Sequence, residues 1–390
     1  MAATMVKKMP YVRLGNSGLK VSKIILGTMQ YGSSGWQEWV VGEEEAIKHI
    51  KFAYENGIQT FDTANVYSNG LSEIILGNAI KKLELPREEI VVMTKLYNPV
   101  PSDYGMNLVA TGKRPEEVGI INQHGLNRKV GHDTSVVEMR ALMCTCIRHI
   151  AYLRLGEGQF EAPAAGLHRS SPMCVPLAAA VSLLAHASAA GHRFDYSTPI
   201  EETMQALHDV VKAGYVRYIG MSSCYAYQSH TLVHAMQNYA INNKLTPFIS
   251  MQNHYSLIYR EEEREMFPTL KLFGVGSMPW SPLGRGVLTR PISAQSKRGD
   301  TDWFINRYKG SSTTDIVNRV EEIAHKKGIS MAQVAIAWVL SRDGVSAPIV
   351  GTTSLDNLKD ILGGVNVKLT EQEIAYLEEP YQPLNIIGHA

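Results

Sequence analysis

Phe61-Asp62-Thr63-Ala64-Asn65-Val66-Tyr67 follows directly on the short apolar run Ile58–Phe61, and Lys95 ends a second run, Ile90-Val91-Val92-Met93-Thr94-Lys95. Both stretches put charged or phenolic groups at the C-terminal end of a strand-like segment, where (β/α)8 barrels carry their catalytic groups. His192, in Gly191-His192-Arg193-Phe194-Asp195, follows another apolar stretch. The chemistry agrees with the placement. A phenol of ordinary pKa, about 10, is a poor acid at neutral pH, and an adjacent ammonium held by a carboxylate lowers that value. Tyr67 beside Lys95 and Asp62 is therefore expected to protonate a carbonyl oxygen while a hydride arrives at its carbon.

Working outward, Tyr11–Leu14 and Leu19–Val21 flank the turn Asn16-Ser17-Gly18 and read as a β-hairpin. Ile24–Thr28 is an uninterrupted apolar run, as expected of a strand buried on both faces. Glu43–Asn56 has helical apolar spacing closed by Gly57, and Ser72–Leu83 is a second helix. Later, Thr198-Pro199-Ile200-Glu201 reads as an N-cap and first-turn proline opening a helix that ends near Gly214. Tyr215–Met221, Phe248–Gln252, Val275–Trp280 and Ala347–Val350 read as strands. Between and after them, Tyr225–Asn242, Arg260–Phe273, Thr313–Lys327, Ser330–Ser341, Leu355–Leu362 and Glu371–Glu379 read as helices. Seven strand candidates alternating with helices argue a parallel α/β architecture. A doubly wound open sheet wants a Gly-rich turn after its first strand, and Gly27-Thr28-Met29-Gln30-Tyr31-Gly32 supplies no convincing one. The expected fold is an α/β (β/α)8 barrel with an N-terminal hairpin, over residues 9–380, its eighth strand lying between Lys95 and His192.

Composition narrows the function classes. The 390 residues are 45% hydrophobic and 19% charged, the balance of a globular protein with a large core. Lys plus Arg (38) nearly cancels Asp plus Glu (37), which argues against nucleic acid or an anionic membrane as partner. Met1–Lys8 lacks the apolar core of a signal peptide, and Val175–Ala190 falls short of the roughly 20 residues that span a bilayer. A cytoplasmic protein is expected, its oligomeric state open. Four cysteines in a chain of this length form no disulfide framework.

Val130–Gly191 differs from its surroundings. It holds three of the four cysteines, alanine clusters such as Ala162-Pro163-Ala164-Ala165 and Ala178-Ala179-Ala180, and no clean βα unit. Cys144, Cys146, His149, His168 and Cys174 match no common zinc spacing, so no metal is expected. Two readings stay open: an exposed low-complexity insertion, or translated non-coding sequence in place of a helix and strand.

An ordered set of motifs resembles the aldo-keto reductase superfamily in its fungal, single-chain barrel form, over Met9–Lys129 and His192–His389. These motifs are Leu26-Gly27-Thr28-Met29, Phe61–Ala64 with Tyr67, Thr94-Lys95, His192–Asp195, Arg217–Ser222, Met251-Gln252-Asn253, Trp280–Gly286 and Ile349–Thr353. The family's amphipathic third helix and acidic, Leu-rich fourth strand are not legible before His192. The resemblance implies Tyr67 as general acid assisted by Lys95 and Asp62, with His192 orienting the carbonyl. It implies a nicotinamide dinucleotide, NADPH with NADH also open. Gly27, Thr28 and Met29 would flank it, Gln252 and Ser222 meet its carboxamide, and Trp280 stack on its ring. Ser281, Leu283, Gly284 and Arg285 would wrap the pyrophosphate, and Gly351, Thr352, Thr353 and Asn357 the adenosine phosphate. Family members often carry a basic residue where Thr353 stands and a polar one at Ile361.

The expected activity is reduction of a small aldehyde or ketone to an alcohol. A nucleotide-binding regulatory subunit of weak activity, like the potassium-channel β subunits of this superfamily, is the second reading. A defective product whose barrel is broken by residues 130–191 is the third.

Overall fold

The computed structural model describes residues 9–121, 123–128, 187–226 and 232–389. Two strands, β1 (Tyr11–Arg13) and β2 (Lys20–Ser22), pair antiparallel as the expected hairpin. A second sheet holds β3 (Ile25–Gly27), β4 (Thr60–Asp62), β5 (Val91–Leu96), β6 (Ala187–Gly191), β7 (Tyr218–Ser222), β8 (Phe248–Gln252), β9 (Gly276–Ser277) and β10 (Ile349–Val350). All its pairings are parallel, in the order β10-β3-β4-β5-β6-β7-β8-β9. Parallel bridges Ser277–Val345 and Trp280–Ile349 complete the ring, and the Ile349 N–H donates to the Pro279 carbonyl at 2.8 Å. The fold is a (β/α)8 barrel.

Strand alternation sets what the interior holds. Ile25, Val91, Met93, Met278, Ala347 and Ile349 form one buried cluster inside the ring, joined by Leu14, Leu19 and Val21 of the hairpin. The hairpin therefore plugs the N-terminal end of the barrel. Residues on the opposite strand faces, such as Leu26, Phe61, Val92 and Ile219, belong to the larger cluster under the helices. The open end is the one where β4 and β5 present Asp62 and Lys95.

The described helices are α1 (Glu43–Glu55), α2 (Leu71–Lys82), α3 (Ile200–Lys212), α4 (Leu232–Asn242), α5 (Met266–Phe273), α6 (Ser311–Lys327), α7 (Met331–Ser341), α8 (Leu355–Gly363) and α9 (Glu371–Glu378), beside single-turn segments. Three glutamates open α1, where they complement the positive end of the helix dipole, and Gly57 follows with φ 86°. Some boundaries differ from the sequence reading. Tyr225 and Ala226 are not helical, and α4 is described from Leu232. Pro199, not Thr198, is the N-cap of α3, because the Thr198 hydroxyl donates to Asp195 at 2.7 Å.

The strand that the sequence left illegible is β6. Ala187-Ser188-Ala189-Ala190-Gly191 lacks the β-branched and aromatic residues that favour strands. It forms because a partner lies on each side: five residues register with β5 and four with β7. Smallness has a local reason at its end, since a Cβ on Gly191 would stand 2.7 Å from Met221 Sδ and 3.1 Å from Leu126 Cδ1. The ring therefore has its fourth barrel strand, between Lys95 and His192 where the eighth strand was expected. The cysteine and histidine group at 144–174 and the family's third helix lie outside the described residues.

Candidate active site

Tyr67, Asp62, Lys95 and His192 meet at the open end of the barrel. Asp62 and Lys95 point inward from neighbouring strands, each with a side chain only 3% exposed, and their charged groups touch at 2.5 Å. Lys95 Nζ also donates to the Thr63 carbonyl at 2.7 Å and lies 3.4 Å from the Tyr67 hydroxyl. Gln252 Nε2 donates to the other Asp62 oxygen at 2.8 Å. This buried ion pair is thus hydrogen-bonded on both sides, which such a pair requires. Tyr67 sits after β4 with its ring edge-on to His192, centroids 6.0 Å apart at 89°.

The electrostatics differ from the sequence expectation in one respect. Burial pushes the Tyr67 phenol up, Lys95 pulls it down, and Asp62 pushes it up again, with a net upward shift. The expected net lowering by Lys95 and Asp62 is corrected: burial was not visible in the sequence, and the Asp62 charge disfavours a phenolate. Tyr67 is accordingly a protonated phenol at neutral pH. Burial works against the Lys95 charge, but Asp62 and Tyr67 outweigh it and its pKa rises. His192 is held well below its ordinary value, by burial first and then by the positive charges of Arg193 and Lys95. Its imidazole is neutral. The Asn98 amide nitrogen lies 3.3 Å from His192 Nδ1, so an amide donating there places the ring proton on Nε2.

Around this centre lie the residues expected to hold a nucleotide. Ser222 and Gln252 end adjacent strands, and the Ser222 hydroxyl donates to the Gln252 carbonyl at 2.8 Å. Gln252 Oε1 is buried with no hydrogen-bond partner among the described residues, an acceptor suited to an amide donor. Trp280 is fixed by donation from Nε1 to Ser223 Oγ at 3.0 Å and by stacking on His254, ring centroids 4.3 Å apart. His254 in turn stacks on Tyr259 at 4.3 Å. Ser281, Gly284 and Arg285 adopt positive φ (53°, 55° and 54°), so the loop after β9 turns tightly beyond Trp280, with Leu283 buried within it. Arg285 Nη1 and Arg298 Nε both reach one Asp302 oxygen, at 2.7 and 3.1 Å, so the cluster carries a surplus positive charge. Such a surplus suits a diphosphate.

Gly351, Thr352, Thr353 and Asn357 follow β10, where Ser354 caps α8 by accepting from the Asn357 N–H. A Cβ on Gly351 would lie 2.5 Å from Gln30 Oε1. Gly27 and Met29 lie at and beyond the end of β3. Thr28 is different: it is fully buried, and its hydroxyl is 2.8 Å from Ser72 Oγ.

Sequence reasoning assigned no role to four residues that shape this centre. Asn98 sets the His192 tautomer, and Arg193 lies beside it. His254 backs Trp280. Glu73, on α2, is buried and accepts from the Thr94 hydroxyl at 2.5 Å behind Lys95. Burial pushes the Glu73 carboxyl up to about 7, against the opposing Thr94 hydrogen bond and Lys95 charge. Only Arg193 had a signal, its place in the His192–Asp195 motif.

Comparison with known proteins shows the family. The model of the aldo/keto reductase family matches residues 23–118 and 190–382. A versiconal hemiacetal acetate reductase of Aspergillus parasiticus is 44% identical over 380 residues, covering 96% of this chain and 98% of that one. Aldo-keto reductases of Fusarium vanettenii and Metarhizium robertsii are each 39% identical over 392 residues, covering 98% of this chain and 94% of theirs. An inward Lys–Asp pair under a barrel-mouth tyrosine, in a chain matched over most of its length, places it: the protein belongs to the aldo-keto reductase family and is an oxidoreductase acting on carbonyl and alcohol groups.

Proposed function

We propose that the chain reduces an aldehyde or ketone to an alcohol with NADPH, NADH being the alternative donor, and that Tyr67 supplies the proton. The observation that carries the reading is the Lys95 ammonium 3.4 Å from the Tyr67 hydroxyl and 2.5 Å from Asp62. A reduced nicotinamide dinucleotide bound at this mouth supplies the hydride. Gln252 Oε1 would accept from its carboxamide, Trp280 would carry its ring on the face away from His254, and Arg285 with Arg298 would meet its pyrophosphate.

The chain's own groups then act on the carbonyl oxygen. His192 Nε2–H and the Tyr67 hydroxyl both donate to it, which orients the carbonyl and polarises it. As charge builds on that oxygen, Tyr67 releases its proton to it. Lys95 stabilises the phenolate that remains, so its effect is felt in the transition state rather than in the resting phenol. Asp62 keeps the ammonium charged and pointed at Tyr67. A neutral His192 is required for this role, because an imidazolium would compete as the proton source. Trp36, with its ring 6.5 Å from that of Tyr67, adds an aromatic wall that favours a flat substrate.

No helix among the described residues is long and apolar enough to cross a membrane. A cytoplasmic location completes the proposal. The test is direct: the purified 390-residue chain with NADPH and an aromatic aldehyde should consume reduced nicotinamide and form the alcohol in equal amounts. Nucleotide binding without aldehyde-dependent oxidation would instead favour the regulatory reading.

A further inference from the structure

Arg193 is a cation without a counter-ion among the described residues. It follows the catalytic histidine directly, is partly buried, and donates from Nη1 to the carbonyl of His192 itself at 2.5 Å. No carboxylate among the described residues pairs with it. Tyr67, Cys224 and Tyr97 lie close enough to favour its charge, and the like-charged Arg285 disfavours it. A guanidinium has five N–H donors in a planar fork that matches a carboxylate, and this one has a single acceptor among the described residues. Burial and Arg285 both work against its charge. A partly buried cation that no described carboxylate meets is placed to receive an anion.

Two anions come to this mouth in a dinucleotide-dependent reduction. The pyrophosphate would already have Arg285 and Arg298, which share the single carboxylate of Asp302. Arg193 belongs to the loop that carries His192, on the side of the reacting carbonyl and within the field of Tyr67. We propose that Arg193 is an anion anchor of the substrate site, selecting carbonyl compounds that carry a second, acidic oxygen, a carboxylate or an ionised phenol. The inference rests on the carbonyl-reductase reading and names its substrate class. Tyr67 and Trp36 make the surroundings aromatic, so a flat ring joining carbonyl and anion is the fitting scaffold.

The test compares near-isosteric aldehydes differing in charge, 3- and 4-formylbenzoate against 3- and 4-formylbenzamide, in the parental chain, Arg193→Met and Arg193→Lys. The better-placed formylbenzoate should exceed its amide in kcat/KM by about tenfold or more, the scale of a charge-assisted hydrogen bond. Arg193→Met should bring that ratio to about one, and Arg193→Lys should keep part of it. Calorimetry with terephthalate gives a readout free of turnover: its binding should weaken by about tenfold in Arg193→Met. A parental ratio near one, or a ratio that survives Arg193→Met, overturns the inference and leaves the reductase reading standing. Arg193-dependent terephthalate binding with no turnover of any aldehyde supports the anchor and sinks the reductase reading. Neither turnover nor binding overturns the anchor as well. Circular dichroism of both variants establishes that each is folded, and Arg193→Lys decides the matter should Arg193→Met not fold.

Discussion

Lys95→Met removes one half of an ion pair whose side chains are each 3% exposed. Asp62 would then keep its charge in the barrel with Gln252 Nε2, at 2.8 Å, as its remaining side-chain donor. Breaking a buried pair on one side costs about 3–5 kcal/mol, because the orphaned charge stays desolvated. Asp62→Asn should cost a similar amount, leaving the Lys95 ammonium with the Thr63 carbonyl and the Tyr67 hydroxyl. The double variant removes both charges and puts near-isosteric neutral groups in their place, so it should lose no more than about 2 kcal/mol. The coupling in the double-mutant cycle is then about 4 kcal/mol or more, above the usual range for residues in contact because both single variants orphan a buried charge. Urea unfolding followed by circular dichroism at neutral pH measures all four proteins. Single losses below about 1 kcal/mol, or a double variant equal to the sum of the singles, would refute the reasoning: the pair would then be hydrated, and Lys95 could not act on Tyr67 through a low-dielectric contact.

Glu73→Gln tests the second buried acid. Its folded pKa, about 7, lies above the ordinary 4.5, so Glu73 contributes stability below about pH 4.5 that is lost as pH rises to about 7. At about 1.4 kcal/mol per pH unit, the parental chain should lose about 2 kcal/mol relative to Glu73→Gln between pH 5.5 and 7. A pH-independent difference in urea unfolding would show that Glu73 stays ionised throughout. Gly220→Ala tests the packing of β7 against β8. The new Cβ would stand 2.9 Å from the Ser250 carbonyl oxygen and closer still to its hydroxyl, and the backbone contact cannot swing away. A loss of about 1–3 kcal/mol is expected, and a neutral substitution would mean that the two strands slide apart freely.

Much of the barrel was legible because its strands are short, strongly apolar runs bounded by helices with clear periodicity. Ile24–Thr28 and Ile90–Lys95 lie on β3 and β5 within a residue or two. Ala187–Gly191 was not legible, since its strand state comes from pairing with β5 and β7 and not from its side chains. The four central residues were found because each lies at or just beyond the C-terminal end of a strand, the position that barrels use for chemistry. What escaped depends on tertiary contact. Glu73 looks like an ordinary first-turn acid until α2 places it against Thr94. The upward shift of Tyr67 needs its burial, and Arg193 is notable only because it meets no carboxylate among the described residues.

The central claim is that the Tyr67 hydroxyl delivers the proton, and Tyr67→Phe tests it most directly, because it deletes one oxygen from a ring whose edge-on contact with His192 remains. Aldehyde-dependent NADPH consumption should fall by about 100-fold or more, the scale of a lost general acid, with NADPH binding by fluorescence within about twofold of the parental chain. Parental rates in Tyr67→Phe would contradict the account and return the proton donor to another group at the barrel mouth.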